Sequence, residues 1–198
     1  MIEWINFFTL LFSTILFLLL YNMSVSPAFF EQQWGEKAYR KCGAFRAWAM
    51  VFMFIACLNY LVFYFYPLPV TDFIPLRFPW DWWISILIAI SIAVPSVSLM
   101  IKGMIDAGSE TAAPDKGHKM FGGIYRKIRH PQAAGEAFLF MAIAFVCHSP
   151  FLAILSVIWF PIFYTVNLAE EKDLVLRYGD DYVRYQNEVG MFFPRNPK

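Results

Sequence analysis

Two polar stretches in an otherwise apolar chain hold the residue types that can do chemistry. One ends in Arg129-His130-Pro131, and the other opens with Glu170-Glu171. A cationic pair facing an anionic pair can hold a zwitterion, with a carboxylate on the arginine and an ammonium on the glutamates. His118 and His130 lack a third ligand at metal spacing, so no metal site is expected. Glu136 lies one turn into an apolar stretch, where an acid costs up to about 2.5–3.5 kcal/mol at mid-membrane depth. Each piece also has a plainer reading. Arg129-His130 suits a snorkelling basic cluster, Glu170-Glu171 a solvated helix start, and Glu136 a group reaching back to water.

The elements that must position these residues follow from composition and hydropathy. The chain has 198 residues, 59% hydrophobic and only 16% charged, against roughly 25% charged in a soluble domain. That excludes disorder, a basic nucleic-acid binder and a disulfide-stapled secreted domain. The net charge of +1 attracts no polyanion at long range. Cys42, Cys57 and Cys147 share no pairing or zinc spacing and read as structural. The expected fold is all-α, one integral membrane domain over residues 1–198, a bundle of five transmembrane helices. The apolar stretches are Ile5–Asn22, Ala47–Tyr66, Trp82–Ile101, Ala133–Cys147 and Phe151–Leu168. About 20 residues cross a hydrocarbon core. The fourth stretch is shorter and gains length if its helix starts at Pro131. His148-Ser149-Pro150 makes a tight connection, so the last two stretches form a hairpin that brings both polar stretches to one membrane face.

Charge sets the orientation. Every Lys and Arg except Arg77 falls on one side, which puts the N-terminus outside and the C-terminus in the cytoplasm. The first stretch has only Glu3 before it, and Pro27 follows Ser24-Val25-Ser26, so it reads as an uncleaved span. Trp80, Trp82 and Trp83 mark the outer interface, and Pro27–Arg46 is expected to lie on the inner membrane surface. Pro95, among small residues, marks a kinked helix contact or, alternatively, a substrate opening. Arg177-Tyr178-Gly179 reads as a helix end with a glycine cap. Asp180 is expected to cap a short helix with Tyr182 and Tyr185 on one face.

The order of these motifs resembles a known family. Gly-x-Tyr-x-x-x-Arg-His-Pro (Gly123 to Pro131) is followed by Gly135, Glu170-Glu171, Tyr-Gly-x-x-Tyr-x-x-Tyr (Tyr178 to Tyr185) and Phe193-Pro194. Over about residues 117–195 this is similar to the isoprenylcysteine carboxyl methyltransferase family, in its compact prokaryotic form. Residues 1–101 match only in hydropathy and supply three spans; residues 102–198 are the cofactor-binding half. The resemblance implies an integral membrane methyltransferase using S-adenosylmethionine. The cofactor would sit in a cytoplasmic pocket formed by the last helices and the C-terminal segment. A lipophilic small molecule or lipid would enter from the bilayer. Carried over by motif, the cofactor contacts are His118, Lys119, Gly123, Tyr125, Arg129, His130, Pro131, Gln132, Glu170 and Glu171. Tyr182, Tyr185, Phe193 and Pro194 would close the pocket. Methyl transfer to a carboxylate needs no base; for an amine or thiol, Glu136 or Glu171 is the candidate.

The sequence departs from the family in places. Ala133 stands where a tyrosine is common, and Gln132-Ala133-Ala134 is small, which enlarges the pocket. The family's carboxyl methyltransferases carry an arginine four residues before the paired glutamates. Val166 stands there, beside Asn167 as a candidate catalytic residue, so the acceptor stays open among carboxylate, amine and thiol. Membrane sterol reductases also share Arg-His-x-x-x-Gly and some continue Gly-Glu, as Gly135-Glu136 do; they imply NADPH instead. A transporter or scaffold fits less well, because the spans hold almost no ionisable groups. Membrane lipid is an expected partner; nucleic acid and an obligate protein partner are not.

Overall fold

A computed structural model gives the structure of residues 1–69, 73–117 and 122–195. Its helices are α1 Ile2–Ser24, α2 Pro27–Trp34, α3 Lys37–Phe65, α4 Trp82–Ala107, α5 Pro131–Val146, α6 Pro150–Ser156, α7 Trp159–Tyr178 and α8 Asp180–Glu188. Short 3-10 turns occupy Gly108–Thr111 and Gly123–Arg126. Among the described residues there is no strand, only an isolated bridge between Ile128 and Gly190.

Among the described residues, four stretches are long and apolar enough to cross a membrane: Ile2–Ser24, Lys37–Phe65, Trp82–Thr111 and Pro150–Tyr178. A fifth was expected. Its helix, α5, does start at Pro131 but has 16 residues, about 24 Å at 1.5 Å per residue. That falls short of a core about 30 Å thick. The turn after it is tight: His148 has φ 52°, and the Ser149 hydroxyl accepts the Leu152 N–H at 3.3 Å. Arg77 donates to the Cys147 carbonyl at 2.9 Å. Trp82 donates to the Val146 carbonyl at 3.1 Å. These two side chains satisfy carbonyls that a helix end leaves without intrahelical partners.

Two expectations at the other face need correction. The segment expected on the membrane surface stops at Trp34, and Lys37–Arg46 form the first turns of α3. The reason is spacing: Ala38, Cys42, Arg46 and Ala49 recur at helical intervals and are all buried, so packing carries the helix outward past its apolar part. The shorter α2 is held from α7, where Asp173 accepts the Phe29 N–H at 3.0 Å. Asp180 is no cap. Gly179, with φ +58°, holds that position, and Asp180 is the first residue of α8 with no side-chain cap bond. It still favours the helix through the dipole.

The core is aromatic and joins α1, α3, α5 and α7. Trp159 stacks on Phe140 with centroids 3.6 Å apart and donates to the Tyr60 hydroxyl at 3.3 Å. Phe17 and Phe163 pack beside it, and Phe63 of the same core stacks on Phe151. The outward faces of α1, α3 and α4 stay apolar, with Phe8, Phe12, Phe54, Leu87 and Val94 exposed. Such faces suit lipid contact and not water. Pro95 lies inside α4, which continues through it. Its small-residue neighbourhood is a helix contact, as read: a Cβ on Gly135 of α5 would come 2.4 Å from the Ser96 carbonyl of α4. Gly135→Ala must therefore push α4 from α5. Overpacking of this kind costs about 1–3 kcal/mol, and the loss should be read as a lower unfolding midpoint in detergent.

Candidate active site

The α5–α7 hairpin brings the two polar stretches together. The chain after α8 then turns back along residues 128–130. The Arg129 N–H donates to the Gly190 carbonyl at 2.9 Å, and the His130 N–H to that of Met191 at 3.1 Å. Arg129 Nε meets Glu171 at 2.6 Å, and its Nη1 donates to the Gln186 and Val189 carbonyls. His130 Nε2 lies 3.1 Å from Glu171 and Nδ1 lies 3.4 Å from Glu170. Gln186 donates to the other Glu171 oxygen at 2.9 Å. Buried charges require such pairing. The expected meeting of Arg129/His130 with Glu170/Glu171 is thus present, as a closed network.

Burial alone would lower the pKa of His130, but its bonds to Glu170 and Glu171 outweigh that and hold it above the ordinary 6.5. A raised folded pKa gives stability that is fully present below 6.5 and is lost as pH rises through the folded value. The midpoint difference between wild type and His130→Gln should therefore shrink on going to alkaline pH. A difference that grows with pH would contradict a charged His130.

Beside the network is a polar cavity of about 40 Å³ whose walls include Tyr21, Arg46, Glu110, Thr111, Tyr125, Arg129, His130, Gln132, Ala133, Asn167 and Glu170. A single water needs about 10–15 Å³ of such space, so a small charged group fits. Gln132 donates to the Tyr125 hydroxyl and to Thr111, each at 3.1 Å. Burial raises the Tyr125 pKa, which keeps that hydroxyl neutral. The Tyr185 hydroxyl donates to the Tyr125 carbonyl at 2.6 Å, and burial likewise raises the pKa of Tyr182 and Tyr185.

An apolar groove of about 680 Å³ runs between α4, α5, α7 and the C-terminal segment. Pro95, Ser96, Ala133, Phe138, Tyr164 and Phe192 are among its walls. Pro95 therefore lines this groove as well as lying beside a helix contact. Ala133 lines both spaces.

The structure sorts the residues singled out from sequence. Tyr125, Arg129, His130, Gln132, Asn167 and Glu170 meet at the polar cavity. Glu171 does not line it and instead clamps Arg129 and His130. Glu136 lines neither space. Gly123 serves a turn: its φ is +54°, and a Cβ there would sit 2.1 Å from the Asp106 carboxylate, which accepts the Ile124 N–H at 2.6 Å. Pro131 starts α5. Tyr182 and Tyr185 pack behind the network, Phe193 lines the apolar groove, and Pro194 is exposed. His118 and Lys119 lie outside the described residues.

Sequence reasoning missed Tyr21, Arg46, Glu110 and Thr111, so the cavity draws on the N-terminal half as well as the last helices. Glu110 holds Arg177 at 2.8 Å. The signal for Arg46 was its spacing from Ala38, Cys42 and Ala49 on one helix face.

A family model described as phospholipid methyltransferase matches residues 83–181, half of the chain. The match takes in Arg129, His130, Asn167, Glu170 and Glu171, and leaves out Arg46 and everything after Asp181. This agrees with the membrane methyltransferase resemblance carried by the motifs. No curated protein matches the chain.

Proposed function

The chain belongs to the phospholipid methyltransferase family, and from that premise we propose that it moves a methyl group from S-adenosylmethionine to a lipophilic, membrane-partitioned acceptor. Ala133 carries this reading. Its side chain borders both the polar cavity and the apolar groove, so a charged ligand and an apolar chain meet across a single methyl group. The donor set suits the amino-acid end of the methyl donor. Glu170 offers a carboxylate, and two buried donors, Arg46 Nε and Asn167 Nδ2, lack a partner among the described residues.

When bound, S-adenosylmethionine supplies a methyl group made electrophilic by a sulfonium. The protein's work is then positioning and exclusion of water. Glu170 takes the ammonium, and the Arg129–Glu171 clamp holds the C-terminal segment over the site. Phe138, Tyr164 and Phe192 keep the groove dry. A carboxylate acceptor needs no base. In the proposed topology α5 is a short fifth crossing, tolerated by local thinning of the bilayer. The N-terminus is outside and the polar cavity faces the cytoplasm, as the Lys and Arg distribution favours.

Equilibrium binding to purified protein tests this. Saturable binding of labelled S-adenosylmethionine, without binding of NADPH, is expected. Saturable NADPH binding alone would replace this reading with the reductase one.

A further inference from the structure

Two donors in the polar cavity are unspent. Arg46 is only 6% exposed. Its Nη1 donates to the carbonyls of Glu110 and Thr111, which anchors the guanidinium, and among the described residues Nε has no partner. Asn167 is 2% exposed, and its Nδ2 has no partner among the described residues either. Both residues line the cavity that holds His130 and Glu170. A folded interior rarely leaves such groups unpaired, and each one calls for an explanation. Arg129, the arginine that the sequence puts forward for a carboxylate, is already committed. Its Nε is on Glu171 and its Nη1 on two carbonyls. Arg46, by contrast, is held by backbone carbonyls, and among the described residues no carboxylate is hydrogen-bonded to it.

We infer that Arg46 and Asn167 form an anion subsite of the methyl-donor site, binding a carboxylate or phosphate oxygen beside Glu170. The inference rests on the function proposed above and deepens it. The anion has two possible sources: the carboxylate of the donor's amino-acid end, or an anionic headgroup of the acceptor. With Glu170 in the same cavity, an ammonium and an anion are received side by side.

Binding titrations in detergent test this on the full chain. One arm compares S-adenosylhomocysteine with its decarboxylated analogue; the other compares short-chain phosphatidate with the matching diacylglycerol. Wild type should prefer the member that carries the carboxylate or phosphate in at least one pair by about 10-fold or more. Arg46→Gln should erase that preference while binding the member without that group as wild type does. Loss in the first arm assigns the anion to the donor, and loss in the second assigns it to the acceptor. Asn167→Leu guards against misfolding, because it removes the amide while filling its volume. It should unfold no earlier than wild type and lose preference by about 10-fold. Folded variants that both keep every wild-type preference, or a wild type with none, would overturn the subsite. Failure of wild type to bind S-adenosylhomocysteine at all would instead sink the methyl-donor reading, and the phosphatidate arm would still decide the subsite.

Discussion

Replacing Glu171 by Gln should lower stability by about 3–5 kcal/mol and remove donor binding. Glu171 is buried and takes three partners: Arg129 Nε, His130 Nε2 and Gln186 Nε2. An amide at this position accepts through one oxygen only and turns N–H groups towards donors. Arg129 is then left buried without a counter-charge, and neutralising one member of a buried ion pair leaves the other uncompensated. The damage spreads because the Nη1 of the same arginine holds the carbonyls of Gln186 and Val189, where the C-terminal segment leaves α8. Unfolding in detergent together with S-adenosylhomocysteine titration measures both effects. Asp181→Asn is the control. Its pair with Arg184 is largely exposed and should contribute less than about 1 kcal/mol. Equal behaviour of the two variants would contradict the clamp.

Ala133→Phe should separate donor binding from transfer. Among the described residues, Ala133 alone of the polar cavity's wall also borders the apolar groove. A ring there fills the boundary and holds the acceptor away from the donor, while the hydrogen bonds of His130, Gln132 and Glu170 are untouched. Donor affinity should stay within a few-fold of wild type. Transfer to a lipophilic acceptor should fall about 100-fold or more, the scale of a 1 Å misplacement at a reacting centre. Ala133→Ser should retain both. A parallel loss of binding and transfer in Ala133→Phe would mean a general disturbance of α5 instead.

Much of this architecture is legible in the sequence, and the failures have physical reasons. Pro131 announces the start of α5, and Gly179 the end of α7, because each residue favours one backbone conformation at a helix terminus. The hairpin follows from two apolar stretches and a three-residue link, and it forces Arg129/His130 towards Glu170/Glu171. Which of the two glutamates faces the cavity is not local information. Neighbours on a helix point about 100° apart, and the rotation of α7 is set by Trp159, Phe163, Val166 and Leu174, all buried against other helices. The spacing of Arg46 from Ala38, Cys42 and Ala49 marks one helix face but does not give its partners, which are backbone carbonyls 64 and 65 residues away. The bounds of α5 were legible to within a residue, but apolar content alone did not show that a helix of this length falls short of a full crossing.

Transfer of labelled methyl from S-adenosylmethionine into organic-extractable product, by protein reconstituted in a membrane lipid extract, tests the central claim most directly. Label should enter the organic phase with wild type and be lost with Glu171→Gln and Ala133→Phe. Label confined to the aqueous phase, or transferred equally by Ala133→Phe, would contradict a donor site that opens onto the lipid-facing groove.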